Sequence, residues 1–373
     1  MKKIVIAPDS FKGVMTARRV ADIIGEEAAA LLPDCDIVKI PIADGGEGSL
    51  DTILSSIGGE LIEAHVISPE DKEIPACFGI TREGTAIIEM AQSSGLTRQN
   101  GLHPMTSSTY GFGQLITAAL DKGAREFMLC IGGSATTDGG CGMAAALGVG
   151  FRDCGGVSFV PCGGTLQRIA HPDGIDMSAV DARIRESSFT VMCDVDNPLH
   201  GKYGAAYVYA PQKGATPDQV ALLDEGLKHF GTLLRVKFGV DFVNTPGAGA
   251  AGGLGAGCMA FLGARLVSGS EAILNLCGFD AHIENADLVI TGEGRLDDQS
   301  FSGKALSGIL GRARSVSVYS VCGVCTCEEA LLKEQGLRVF ETSEGIAPEE
   351  SMRDPEKYLR VAAGKAITLW EGQ

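Results

Sequence analysis

Positive charge is what this 373-residue chain has little of: 31 Lys and Arg stand against 47 Asp and Glu, a formal net charge of −16. Nucleic acid and anionic membranes need a basic face, so neither is expected as a partner. No apolar run approaches the length that spans a bilayer. No secretory signal is read at the start either, since MKKIVIAPDS looks like a short strand entering a polar loop. A cytoplasmic protein is therefore expected. The pattern G-x-x-x-x-G-K-[ST] is missing, which excludes a P-loop nucleotide site. Repeats, low-complexity tracts and disordered tails are also lacking, and the histidines are scattered without ligand spacing. Cysteine is plentiful, but most copies sit singly in apolar segments as small hydrophobes. Only Cys322, Cys325 and Cys327 cluster, as CGVCTC. With no second Cys or His group near in sequence to complete a zinc site, a tight turn after the strand SVSVYSV is expected there.

Glycine is present in excess, in six short clusters: APDSFKG (7–13), ADGGEGS (43–49), IGGSATTDGG (131–140), DCGGVSFVPCGG (153–164), PGAGAAGGLGAG (246–257) and TGEGRLDDQSFSGK (291–304). Glycine is costly to order, so it marks backbone that takes positive φ or approaches something closely. Loops of glycine with Ser, Thr, Asp and Lys suit phosphate, with N–H groups cradling oxygens and carboxylates holding Mg²⁺. DCGGVSFVPCGG carries no such chemistry and reads as turns.

The length favours two domains. Lys3–Ala7 and Asp36–Ala43 read as buried strands, followed by helices over Thr16–Leu32 and Leu50–Ser56, a βαβα start that implies a parallel sheet. From about Val66 the texture changes to short strands (Glu73–Ile80, Thr85–Met90, Glu126–Ile131, Phe189–Cys193), with helices over Gly113–Lys122, Met143–Gly148, Asp218–Phe238 and around Cys258–Leu266. The opening pattern returns at Asp287–Ile290, with further strands at Ser315–Val321 and Leu337–Glu341 and a last helix, Glu356–Trp370. One domain built from both ends, with the middle inserted, is the expectation: residues 1–75 and 286–373 in the first, 76–285 in the second. Ligands of such sheets gather at the carboxyl ends of the strands.

Several residues stand out within that frame. Asp9, Ser10 and Lys12 end the first strand, and Lys12 suits a phosphate or carboxylate. IGGSATTDGG offers Ser134, Thr136, Thr137 and Asp138; the alternative is a turn whose hydroxyls cap the next helix. Asp194 and Asp196, two apart in an extended segment, would face one site. TGEGRLDDQSFSGK gathers Glu293, Arg295, Asp297 and Lys304 in one loop, cations to neutralise phosphoryl charge and acids to bind metal or take a proton. One G-x-G-x-x-G, Gly247–Gly252, raises an NAD-dependent oxidoreductase as a rival, although Pro246 and the short candidate strand Asp241–Asn244 make poor context. A non-catalytic small-acid-binding protein is a second rival.

Taken in order, APDSFKG, PIADGGEGS, IGGSATTDGG, CDVDNPL, APQKGA (210–215), PGAGAAGGLGA and VITGEGRLDDQS resemble the glycerate kinase family over nearly the whole chain. The resemblance implies two α/β domains: a Rossmann-like parallel-sheet domain from both chain ends and an inserted domain with a mixed sheet, with the active site in the cleft between them. It implies phosphorylation of D-glycerate by ATP with Mg²⁺, to 2-phosphoglycerate rather than 3-phosphoglycerate, or action on a related small hydroxy acid, by a monomer or homodimer. On that footing Lys12 and Arg295 would hold the glycerate carboxylate and Asp194 would accept the hydroxyl proton. Asp9, Asp44 and Glu293 would hold Mg²⁺. Lys304 and the Ser134–Asp138 loop would take the ATP phosphates. Ser10, Gly45, Gly46, Gly132, Gly133, Thr136, Asp196 and Asp297 would complete the substrate and phosphate contacts. The chain departs from the family where G-T-G-E is usual, having Gly111-Phe112-Gly113-Gln114, and where SPEDKEI (68–74) replaces a Pro-Leu-Gly loop.

Overall fold

The structure is a computed structural model and describes residues 1–11, 13–43, 45–46, 48–301 and 305–372. Lys12, Asp44 and Lys304 lie outside the described residues. Strands run over Lys3–Pro8 (β1), Asp36–Lys39 (β2), Gly59–Ile67 (β3), Glu73–Thr81 (β4), Thr85–Glu89 (β5), Glu126–Cys130 (β6), Gly150–Phe151 (β7), Ile175–Asp176 (β8), Ser188–Met192 (β9), Arg265–Val267 (β10), Leu288–Leu296 (β11), Ser317–Cys325 (β12) and Leu337–Glu341 (β13). The chain divides into two compact units, one of Met1–Asp44, Asp51–Gly58 and Ser268–Gln373, the other of Gly45–Leu50 and Gly59–Val267.

In the first unit a sheet ordered β13-β12-β11-β1-β2 is parallel throughout. Its central strands are buried and apolar over Ile4–Ala7 and Leu288–Ile290, as a sheet covered on both faces requires. Ile4, Ile6, Leu288 and Ile290 share a core with Val20, Ile23 and Ile24 of the helix Ala17–Leu31 and with Leu359, Ala363 and Ile367 of the helix Pro355–Glu371. Thr16 starts the first of these helices by accepting the Arg19 N–H at 3.2 Å. Two strands run past their expected ends. β11 continues through Leu296, with Glu293 opposite Cys322 and Arg295 opposite Val324. Glu293 and Arg295 are therefore strand residues rather than loop residues. β12 continues through Cys325, whose N–H donates to Glu341 Oε2 at 2.9 Å. CGVCTC is thus mostly strand, and the expected turn is corrected: two Gly-containing strands lie close enough to keep pairing.

The second unit holds a mixed sheet ordered β10-β9-β6-β5-β4-β3. β10, β9, β6 and β5 are parallel, and β5, β4 and β3 antiparallel. Ser68 Oγ makes the β3–β4 turn, accepting N–H groups of Glu70 at 3.3 Å and Lys72 at 3.2 Å. The SPEDKEI sequence is accordingly a hairpin turn. The helix Pro217–Phe238 starts at a capping box, Thr216 with Gln219. Its buried stripe of Val220, Leu223, Leu227, Phe230 and Leu234 packs into the second core of this unit.

PGAGAAGGLGAG forms the start of the helix Ala250–Leu262, broken by left-handed backbone at Ala251, Gly252 and Gly253. Gly252, at φ +71°, lies so close to the Thr136 carbonyl that a Cβ would overlap its oxygen. Gly252→Ala is expected to lower stability by about 2 kcal/mol or more, through overpacking and positive φ together. Gly311→Ala, in the helix Ala305–Arg312 with open space around it, is expected to gain about 0.5–1 kcal/mol. Urea unfolding midpoints of the two variants check this contrast.

Candidate active site

At the carboxyl end of β1, Asp9 is held by its own N–H donating to the Gly292 carbonyl at 2.7 Å, while Asp9 Oδ1 accepts the Ser10 N–H at 2.6 Å. Asp9, Thr291, Glu293 and Ser320 line one small pocket of about 10 Å³, room for a water or a small cation. Thr291 Oγ1 donates to the Ala7 carbonyl at 2.9 Å. The Ser320 hydroxyl is buried with no hydrogen-bond partner. Two carboxylates with an uncommitted hydroxyl oxygen are hard donors that fit Mg²⁺, an ion that takes one or two carboxylates and keeps waters or phosphate for the rest. Among the described residues no three His, Cys, Asp or Glu gather as ligands. Further along β11, Arg295 is exposed and lies 3.9 Å from Asp297. Asp297 N–H donates to Ser300 Oγ at 3.2 Å.

The second unit builds a different structure from its glycines. Gly132 donates its N–H to the Gly45 carbonyl at 3.1 Å. A Cβ on Gly132 would come within 2.7 Å of Gly46 Cα. Gly45 and Gly46 thus group with the inserted unit, whereas the expected bounds of 1–75 put them in the first. Beyond Gly132 the chain is pinned on its other side, where Leu96 N–H donates to the Gly133 carbonyl at 3.1 Å and Ala135 N–H to the Ser94 carbonyl at 3.0 Å. Gly133 is left exposed, while Ser134, Thr136 and Thr137 are buried. The Oγ1 atoms of Thr136 and Thr137 have no partner.

Asp138 does other work than phosphate binding. Fully buried, it accepts Thr109 N–H and Oγ1–H, both at 2.8 Å, together with the N–H groups of Gly140 at 3.0 Å and Gly142 at 3.1 Å. Its oxygens cap the helix Cys141–Ala146 and tie it to Thr109, ahead of the helix Tyr110–Asp121. Burial pushes its carboxyl above the usual range, and those donors pull it back. The phosphate assignment of Asp138 gives way to this capping role.

Asp194 and Asp196 follow β9 and are exposed. The glycines of Gly247–Gly252 serve close packing: Gly249 N–H donates to the Asn197 carbonyl at 2.9 Å, and Gly252 abuts Thr136. Residues 241–244 form no strand. A dinucleotide fingerprint needs a strand, a glycine turn and a helix N-terminus, and the oxidoreductase reading falls with its absence.

Two buried charges escaped the sequence reading. Glu89, ending β5 with 1% exposure, accepts Leu50 N–H at 2.7 Å. Lys213 is 1% exposed; its ammonium donates to Ser134 Oγ at 2.7 Å and to the Thr136 carbonyl at 2.6 Å. Burial lowers its pKa to about 7, against an upward pull from Asp138. A lone lysine among small residues in APQKGA was the available signal.

The glycerate kinase family model matches residues 4–371. The chain belongs to the glycerate kinase family. It is 40% identical to a glycerate kinase of Bacillus cereus, across 99% of this chain and 98% of the relative. It is 39% identical to a glycerate 2-kinase of Escherichia coli, across 98% of each. A crystal structure of a Salmonella typhimurium protein assigned as glycerate kinase 2 superposes with a TM-score of 0.87 at 35% identity, covering 100% of this chain and 98% of that one. Within this family the G-F-G-Q departure is structural: Phe112 is fully buried in the core, and Gln114 Oε1 accepts Ile67 N–H at 2.7 Å. A carboxylate there would accept the same bond.

Two outcomes follow from the buried charges. Asp138→Asn places an amide N–H₂ against donors and is expected to cost about 3 kcal/mol, read as a lower thermal midpoint. Burial brings the Lys213 pKa down to about 7 in the folded chain, from the ordinary lysine value of 10.5 that the unfolded chain keeps. Between those values the unfolded chain holds a proton the native chain has released, so stability rises with pH across that window. Urea unfolding from about pH 7 to about pH 9 is expected to show this rise in the wild type and to lose that increment in Lys213→Met.

Proposed function

We propose that this protein phosphorylates D-glycerate with ATP and Mg²⁺, giving 2-phosphoglycerate, in the cytoplasmic breakdown of small organic acids such as glyoxylate. The observation that carries the reading is where unsatisfied polarity collects. Of four buried side-chain atoms without a partner among the described residues, Thr136 Oγ1 and Thr137 Oγ1 lie in the glycine loop and Ser320 Oγ lines the Asp9–Glu293 pocket. Buried hydroxyls left unpaired are costly, and a phosphate or a metal-bound water relieves that cost. The relative named glycerate 2-kinase supports the choice of product.

In this scheme Asp194 takes the proton from the attacking hydroxyl while the γ-phosphorus–oxygen bond to ADP breaks. Asp196 and Ser10 line the acceptor. Lys12 and Arg295 hold the glycerate carboxylate. Gly132, Gly133, Ser134 and Thr136, with Gly45 and Gly46, take the ATP phosphates, joined by Lys304, and Asp297 completes the substrate contacts beside Arg295. Asp9 and Glu293, with Asp44, would hold Mg²⁺, which neutralises charge on the transferring group when bound. Phosphoryl transfer asks mostly for such positioning and neutralisation.

An ADP-release assay over a panel of small hydroxy acids is expected to respond to D-glycerate and to lose that response in EDTA. Phosphorus NMR would identify 2-phosphoglycerate. No ADP above background with D-glycerate would overturn the reading. Asp194→Asn is expected to lower kcat about 10²–10⁴-fold, and a kcat within a few-fold of wild type would remove it as the base.

A further inference from the structure

The loop between β6 and the helix Cys141–Ala146 is already fixed by backbone bonds on both sides, to Gly45, Ser94 and Leu96. It needs no cation for rigidity. A buried ammonium is costly there, and an apolar side chain of similar volume would be no less stabilising. Yet Lys213 is delivered to this spot by design of its turn. The segment Pro211–Lys213 follows the helix Ala205–Tyr209, Lys213 N–H closes on the Ala210 carbonyl at 3.0 Å, and Gly214 at φ +91° ends the turn.

The chemistry of the contact is directional. An ammonium has donors only, and a hydroxyl has one proton and two lone pairs. With Nζ at 2.7 Å, Ser134 Oγ accepts from Lys213 and must send its own proton elsewhere. Ser134 is 7% exposed and follows the exposed Gly133 in the chain. We propose that Lys213 is a positioning residue: it holds the Ser134 hydroxyl as an acceptor and so presents the Ser134 O–H as a donor to a phosphate oxygen of ATP. This rests on the reading of the glycine loop as the ATP-phosphate loop. When Lys213 loses its proton, the amine lone pair takes the Ser134 hydrogen and the outward donor disappears. Asp138 is the ionisable neighbour that acts on this lysine, favouring its charged form.

The test is ATP binding by titration calorimetry, alongside steady-state kinetics, on wild type, Ser134→Ala, Lys213→Met and the double variant. A hydrogen bond to a charged group is worth enough that each single change is expected to weaken ATP about tenfold, with kcat changed less than KM for ATP. The double variant should be no weaker than the poorer single, since both remove one donor. Wild-type ATP affinity should fall as pH rises through neutrality, and Ser134→Ala should be flat. Ser134→Ala keeps every backbone pin, so it reads the idea even if Lys213→Met does not fold. Unchanged ATP affinity in Ser134→Ala, or fully additive losses in the double variant, overturns the proposal. Wild type that binds ATP with this pattern but releases no ADP with D-glycerate leaves the proposal standing and removes the proposed function instead.

Discussion

In the inserted unit, glycine stretches that are far apart in sequence meet backbone to backbone, and the surrounding structure depends on the missing Cβ atoms. Gly132 lies against Gly46, and Gly252 against Thr136. At such distances main chains exchange hydrogen bonds directly, as Gly132 does with Gly45 and Gly139 with Gly252. The strand β6 is thereby followed by a loop that cannot drift. Glycine disfavours ordered backbone by about 1 kcal/mol per residue; here that cost is offset by close packing that no other residue allows.

A loop held so tightly can carry polar groups that would otherwise destabilise it. Asp138 meets four donors and caps one helix while tying it to the start of another. Lys213 enters from a separate turn and meets a hydroxyl and a carbonyl in the same loop. The two charges act on each other through a dry interior, where such attraction is felt far more strongly than in water. Thr136 and Thr137 keep hydroxyls without partners beside them. The first unit repeats the theme on a smaller scale, with Asp9 and Glu293 around a pocket that includes the unpartnered Ser320 hydroxyl.

Much of this is legible in the sequence. Apolar segments marked β1, β6 and β11, and the helix expected over Asp218–Phe238 is present as Pro217–Phe238. The mixed sheet and the family both stand as read. What was not legible has physical causes. β3 carries an edge-strand pattern of alternating exposure with no continuous apolar run, so it does not stand out from a loop. β11 runs on through Gly292–Arg295 because its neighbour β12 continues beside it, a pairing that only three dimensions supply. Asp138 looks in sequence like a phosphate-loop acid because a capping carboxylate and a ligand carboxylate share one composition.

Sequence by itself determined the class of fold, the family and the set of glycine loops, because periodicity, glycine content and motif order are properties of the chain. Tertiary structure alone decided which partners Asp138 and Lys213 meet. Whether a carboxylate binds a ligand or caps a helix depends on which donors the fold brings within 3 Å of it, and whether a lysine is a surface charge or a buried cation depends on what closes over it. Asp138 and Lys213 lie 75 positions apart in sequence, and no spacing rule joins them.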